Sequence, residues 1–164
     1  MVMPSIFSQI FCSFVGTIGF AIMYNVPKKY YIGCGFTGMA GWMMYYFVSA
    51  QRYMTTAAAS FCGALVVVLI SRILAVRLKC PITLFLISGI LPLVPGAGVY
   101  NTVYYIVTNQ LASAALKGIE SLKVAFAIVM GIVIVVSIPR DVFHILYWKK
   151  RWEEKIRRKV EASK

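Results

Sequence analysis

Acidic residues are scarce in this chain: five Asp and Glu in 164 residues, against 17 Lys and Arg. Glu120 is the only acid before Asp141. Most of the chain therefore has no carboxylate pair for acid/base work and no carboxylate cluster for a metal. There is one histidine, His144, and it stands in a basic stretch. A Ser/His/Asp arrangement has no histidine to build on among the apolar segments. The four cysteines, Cys12, Cys34, Cys62 and Cys80, form no CxxC pair. Three of them lie inside apolar blocks, so they read as free, small apolar residues and not as zinc ligands. No GxxxxGK[ST] segment occurs, which excludes nucleotide hydrolysis by that route. No basic n-region precedes the first apolar stretch, which follows Met1-Val2-Met3-Pro4. A cleaved signal peptide is not expected, and the first block should remain as a helix. Neither catalytic residues nor a cofactor nor a metal are expected.

Charge of either sign is sparse as well, at 13%, where a soluble domain carries roughly 25%. What fills the chain instead is apolar: 60% hydrophobic residues and a mean hydropathy of +0.80. These residues come in five blocks, each near the ~20 residues a bilayer-spanning helix needs. The blocks run over about 5–24, 30–48, 55–74, 82–108 and 119–138. The expected fold class is all-α: a polytopic integral membrane protein of about five transmembrane helices over 1–140, followed by a cytoplasmic tail helix over 141–164.

Most of the basic residues fall between and after the blocks. A basic balance can indicate nucleic acid, but no soluble domain is available here to present a basic face, so no nucleic-acid partner is expected. With five spans the termini lie on opposite sides. Lys28, Lys29, Arg77, Lys79 and the tail then share one side, and Arg52, Lys117 and Lys123 the other. The excess of positive charge in cytoplasmic loops places the N-terminus outside and the C-terminus inside. The tail has Ile145, Trp148, Trp152, Ile156 and Val160 on one helical face, with Lys and Arg opposite. This pattern predicts an amphipathic helix at the cytoplasmic membrane surface.

Within the blocks, small residues recur. The second contains Gly33, Gly35, Gly38 and Gly41. Gly38 and Gly41, three apart, share a helix face, which permits close helix approach in lipid. The approaching helix belongs either to this chain or to a partner.

The fourth block carries the strongest local signal. Pro92, Pro95, Gly96 and Gly98 fall within seven residues of an otherwise apolar run. Each proline removes an amide donor and obstructs the preceding turn, so a continuous helix is not expected. Backbone groups freed there must be buried in protein or line a wet cavity. Two half-helices flanking a broken segment are a recurrent transporter device, and a second half starting near Gly98 would aim free amides at an anion. The candidate substrate-binding residues are Pro92, Pro95, Gly96, Gly98, Tyr100, Asn101 and Tyr104. The alternatives are a simple proline kink and a loop at the membrane edge.

The chain resembles the small, split-type subunit of the threonine/serine exporter family. The resemblance rests on Asn25-Val26-Pro27-Lys28-Lys29, on Gly38, Gly41 and Trp42, on Arg77-Leu78-Lys79-Cys80-Pro81-Ile82-Thr83, and on Gly89-Ile90-Leu91-Pro92-Leu93-Val94-Pro95-Gly96 with Tyr100. It covers roughly residues 5–140. It implies a plasma-membrane exporter subunit working with a larger partner subunit, compatible with homo- or hetero-oligomers. The implied solute is a small carboxylate-bearing metabolite, threonine or serine, or a dicarboxylate such as succinate in similar two-component exporters. The rival is a membrane assembly or anchor subunit that handles no substrate.

Overall fold

The computed structural model describes residues 6–51 and 53–138. Among these residues the chain is all-helical. In order, α1 is Ile6–Met23, α2 Tyr31–Ser49, α3 Thr56–Leu78, α4 Thr83–Ile90, α5 Gly96–Val107 and α6 Leu111–Ser137. Single 3-10 turns at Lys28–Tyr30 and Leu91–Leu93 precede α2 and follow α4. The tail helix expected over 141–164 lies outside the described residues.

Helix ends are set by local chemistry. Asn25 and Asn109 take left-handed φ values of 54° and 58°, a conformation asparagine tolerates better than most residues. Behind each, one amide turns back on the helix: Val26 to the Ala21 carbonyl, and Gln110 to that of Tyr105. Lys79 closes α3 in the same conformation. At the other end of α3 the Thr55 hydroxyl accepts from the Ala58 amide at 3.3 Å, the usual N-cap bond.

Among the described residues three helices are long and apolar enough to cross a membrane: Ile6–Met23, Thr56–Leu78 and Leu111–Ser137. The pair Thr83–Leu93 and Gly96–Val107, bent by 52°, would make a fourth. α2 is not in that set. It has 19 residues, about 28 Å at 1.5 Å per residue, but its glycines and tyrosines lower its hydropathy. Its position explains that composition. α2 packs on α1, α3 and α4, so protein, not lipid, covers much of it.

The glycine face of α2 is buried within this chain. A side-chain carbon added at Gly38 would overlap Thr17 of α1, and one at Gly41 would overlap Val67 of α3. Trp42 adds a polar tie, its indole N–H donating to the Gln9 amide oxygen of α1 at 2.8 Å. On the far side, Gly33 lies against the ring of Phe85 in α4, which is fully buried with Tyr30 edge-on to it. α3 and α6 cross closely at Ala64 and Gly131. α6 begins at Leu111, eight residues before the block boundary expected from hydropathy, and the added turns carry the Lys117–Glu120 pair at 2.9 Å and Gly118, which packs on Thr102 of α5.

Candidate functional site

The fourth apolar block is interrupted between Leu91 and Pro95. Prolines at 92 and 95 supply no amide, so the helical ladder stops there. The backbone turns on itself instead: the Val94 amide donates to the Leu91 carbonyl at 3.1 Å, and the Gly96 amide to the Val94 carbonyl at 2.7 Å. The ladder resumes with Val99 donating to Pro95 at 3.0 Å. This leaves Ala97 and Gly98 as first-turn amides without an intrahelical acceptor.

One side chain of the interruption is buried in the bundle. Leu93 is 4% exposed, and its two methyl groups lie over Gly41 of α2 and Gly63 of α3. Those glycines leave the slot that Leu93 fills. The surrounding core is Ala64, Val67, Val124 and Ile128.

Past the break, α5 runs antiparallel along α6. Gly98 faces Ser121, where an added carbon would collide with the hydroxyl, and Thr102 sits by Gly118. No residue of α5 is buried. Tyr100, at 69% exposure, and Tyr104 stack with ring centroids 6.4 Å apart. Of the expected site residues, Pro92, Pro95 and Gly98 are half-buried at the break, Gly96 is exposed, and Asn101 is half-buried one turn on. The structure places Pro92 to Gly98 at the hinge and the tyrosines together on an open face. It does not enclose all seven in one pocket. The Asn101 amide and the hydroxyls of Tyr100 and Tyr104 have no hydrogen-bond partner among the described residues.

Three further polar residues were not singled out by sequence reasoning, and of these Ser121 touches the break. Ser121 meets Gly98 while donating to the Lys117 carbonyl at 2.9 Å. Ser71 is fully buried on α3 and its hydroxyl has no partner among the described residues. Arg72, next to it, is 8% exposed. Its guanidinium donates to the Ile138 carbonyl and, at 2.9 Å, to that of Val136. A legible signal existed for Arg72, since a basic side chain inside an apolar block is uncommon and has a partner to be found.

The groups that the break and α5 present are hydrogen-bonding ones. No group of three His, Cys, Asp or Glu capable of holding a metal occurs among the described residues. Cys80, in the loop before α4, has its thiol pushed up by burial, which disfavours the thiolate that a nucleophile or metal ligand needs. Free amides, an amide side chain and two phenols suit a small anion with hydrogen-bonding groups.

A family model described as Threonine/Serine exporter, ThrE, matches residues 9–138. No curated protein and no solved structure matches the chain at a significant level.

Proposed function

The chain belongs to the threonine/serine exporter family, a family of membrane transporters, and from that premise we propose that it is one subunit of a two-component exporter of small carboxylate-bearing metabolites. A larger family subunit is the partner, the plasma membrane the location, and threonine, serine or a succinate-like dicarboxylate the solute class. In this reading α2 is a fifth span, its 19 residues being close to a bilayer's thickness, and the N-terminus lies outside. Pro92, Pro95, Gly96, Gly98, Tyr100, Asn101 and Tyr104 contribute one wall of the substrate path.

The observation that carries the proposal is α5. It is the second half of a broken span, presents hydrogen-bonding side chains without partners among the described residues, and has no buried residue. Phenols and amides facing hydrocarbon are unfavourable. A partner subunit closing over α5 would supply the second wall and the missing hydrogen bonds. The same open face supports the rival, an assembly surface with no solute contact, and function separates the two.

The test is efflux from cells preloaded with threonine, serine or succinate. Flux should require this chain and its larger partner together, and each alone should give background. Asn101→Leu should then lower flux about tenfold or more at unchanged membrane level, because a lost buried polar contact costs roughly 1–3 kcal/mol. Equal flux from the large subunit alone, or full flux with Asn101→Leu and Tyr100→Phe combined, would reduce this chain to an anchor.

A further inference from the structure

We propose that the end of the bundle where α1 and α3 stop, and α2 and α4 start, binds the headgroup of an anionic phospholipid through Lys28, Lys29, Arg77 and Lys79. The inference does not depend on the transport reading, and it holds whichever leaflet that end faces.

The four cations come from two turns far apart in sequence. Lys28 and Lys29 stand between α1 and α2, and Arg77 and Lys79 at the close of α3. Packing brings the two turns together. Cys80, next to Lys79, packs on the core cluster that holds Val26 and Tyr30, the residues that bracket the first turn. The Lys29 ammonium lies 4.7 Å from the centre of the Tyr30 ring. Burial pushes the Cys80 thiol up, and the Lys29 charge acts against that rise, so the ammonium is within electrostatic reach of the second turn. All four cations are exposed. Among the described residues the one acid is Glu120, and it pairs with Lys117. That pair lies toward the other end of the bundle. The last carbonyls of α6 meet Arg72, just before Arg77 on α3, and Lys117 stands about 30 Å back along α6 at 1.5 Å per residue. None of the four cations has an ion-pair partner among the described residues.

Like charges gathered without a counter-charge repel one another, and an anion seated among them relieves that repulsion. Lys79 adds a second argument. It closes α3 in the left-handed conformation, φ 51°, at a position where glycine is the unstrained choice. A lysine there keeps a charge at this end against the backbone's preference. The membrane as source of the anion follows from the neighbours. Met23 and Tyr24 lead into the first turn and Leu78 stands between Arg77 and Lys79, and all three are exposed. Apolar side chains and a phenol beside cations suit the level where headgroups meet acyl chains. A free phosphate would gain nothing from them. Ammonium and guanidinium groups at that level donate charge-assisted hydrogen bonds to the oxygens of a lipid phosphate.

The test is a titration of the full chain, in a neutral detergent, with a phosphatidylglycerol carrying a fluorescent tail and with its phosphatidylcholine analogue. The phosphatidylglycerol should bind saturably and about tenfold tighter or more than the phosphatidylcholine. Lys29→Gln with Lys79→Gln should lower its affinity about tenfold or more, since each cation at a lipid surface contributes roughly fivefold. Lys117→Gln with Lys123→Gln removes the same charge from α6 and should leave the affinity unchanged. Lys79→Gly separates a binding role from a structural one. It relieves the left-handed strain, so thermal unfolding should match the wild type, while the affinity falls about fivefold. Equal affinity for the two lipids, or full affinity in the folded Lys29→Gln, Lys79→Gln protein, would overturn the site. An equal loss from the α6 pair would overturn it too, since the attraction would then belong to net charge. Displacement of the phosphatidylglycerol by millimolar inorganic phosphate would assign the cations to a soluble anion and overturn the lipid as partner. No arm reads flux, so failure here leaves the transport reading where it stands.

Discussion

Gly38→Val should cost about 3 kcal/mol or more of stability and sharply lower the amount of folded protein in the membrane. The reason is the crossing of α1 and α2. A carbon at Gly38 would meet the hydroxyl, methyl and β-carbon of Thr17 together. Thr17 cannot turn aside cheaply, because it is fully buried and its hydroxyl donates to the Ser13 carbonyl at 2.7 Å. The helices must separate, and the Trp42–Gln9 bond on the same interface is strained with them. Overpacking a tight core costs typically 1–3 kcal/mol, and the lost close contact adds to that, because van der Waals contact is the main force joining helices in lipid. Thermal unfolding in detergent reads the effect. Gly16→Val and Gly19→Val are controls on α1, where an added carbon meets nothing within 4 Å; they should change stability by about 0.5 kcal/mol at most. Gly38→Ala with Thr17→Ala should recover part of the loss seen with Gly38→Ala alone, the signature of two residues in direct contact. A Gly38→Val protein as stable as the wild type would mean that α1 and α2 do not cross there.

The second large effect is at Leu93. Leu93→Ala should destabilise the chain by about 1–3 kcal/mol and abolish most flux. In lipid the water-to-oil part of a leucine's contribution is absent, so the cost comes from the empty slot over Gly41 and Gly63. Flux suffers more than stability, because Leu93 is the only buried residue of the turn between α4 and α5 and sets where the broken backbone sits. Leu93→Met, similar in volume, should keep stability within about 1.5 kcal/mol and retain most flux. Thermal unfolding and preloaded efflux, measured on the same variants, separate the two effects. Flux intact in a folded Leu93→Ala protein would detach the break from transport.

The open tyrosine face of α5 and the buried glycine face of α2 had opposite fortunes in the sequence. Both were visible as patterns. Gly38 and Gly41 read as a contact face, but three- and four-residue periodicity says only which residues point the same way. It does not say that Thr17 and Val67 meet them. For α5 the list of polar groups was legible from Tyr100 to Tyr104, yet their exposure was not, since it depends on which neighbours fail to cover them. α2 shows the converse difficulty. Its moderate hydropathy makes it a weak span by composition, and only its place between α1, α3 and α4 accounts for that.

By itself the sequence determined the helical, membrane-embedded character of the chain and the place where its fourth apolar block gives way. Those follow from composition and from proline's missing amide, which act within a few residues. The tertiary structure alone decided what each face meets: Leu93 in the slot of Gly41 and Gly63, Gly98 on Ser121, and Arg72 on carbonyls 64 and 66 residues away. Such pairings depend on how helices distant in sequence come to lie side by side, and local propensity carries no record of that.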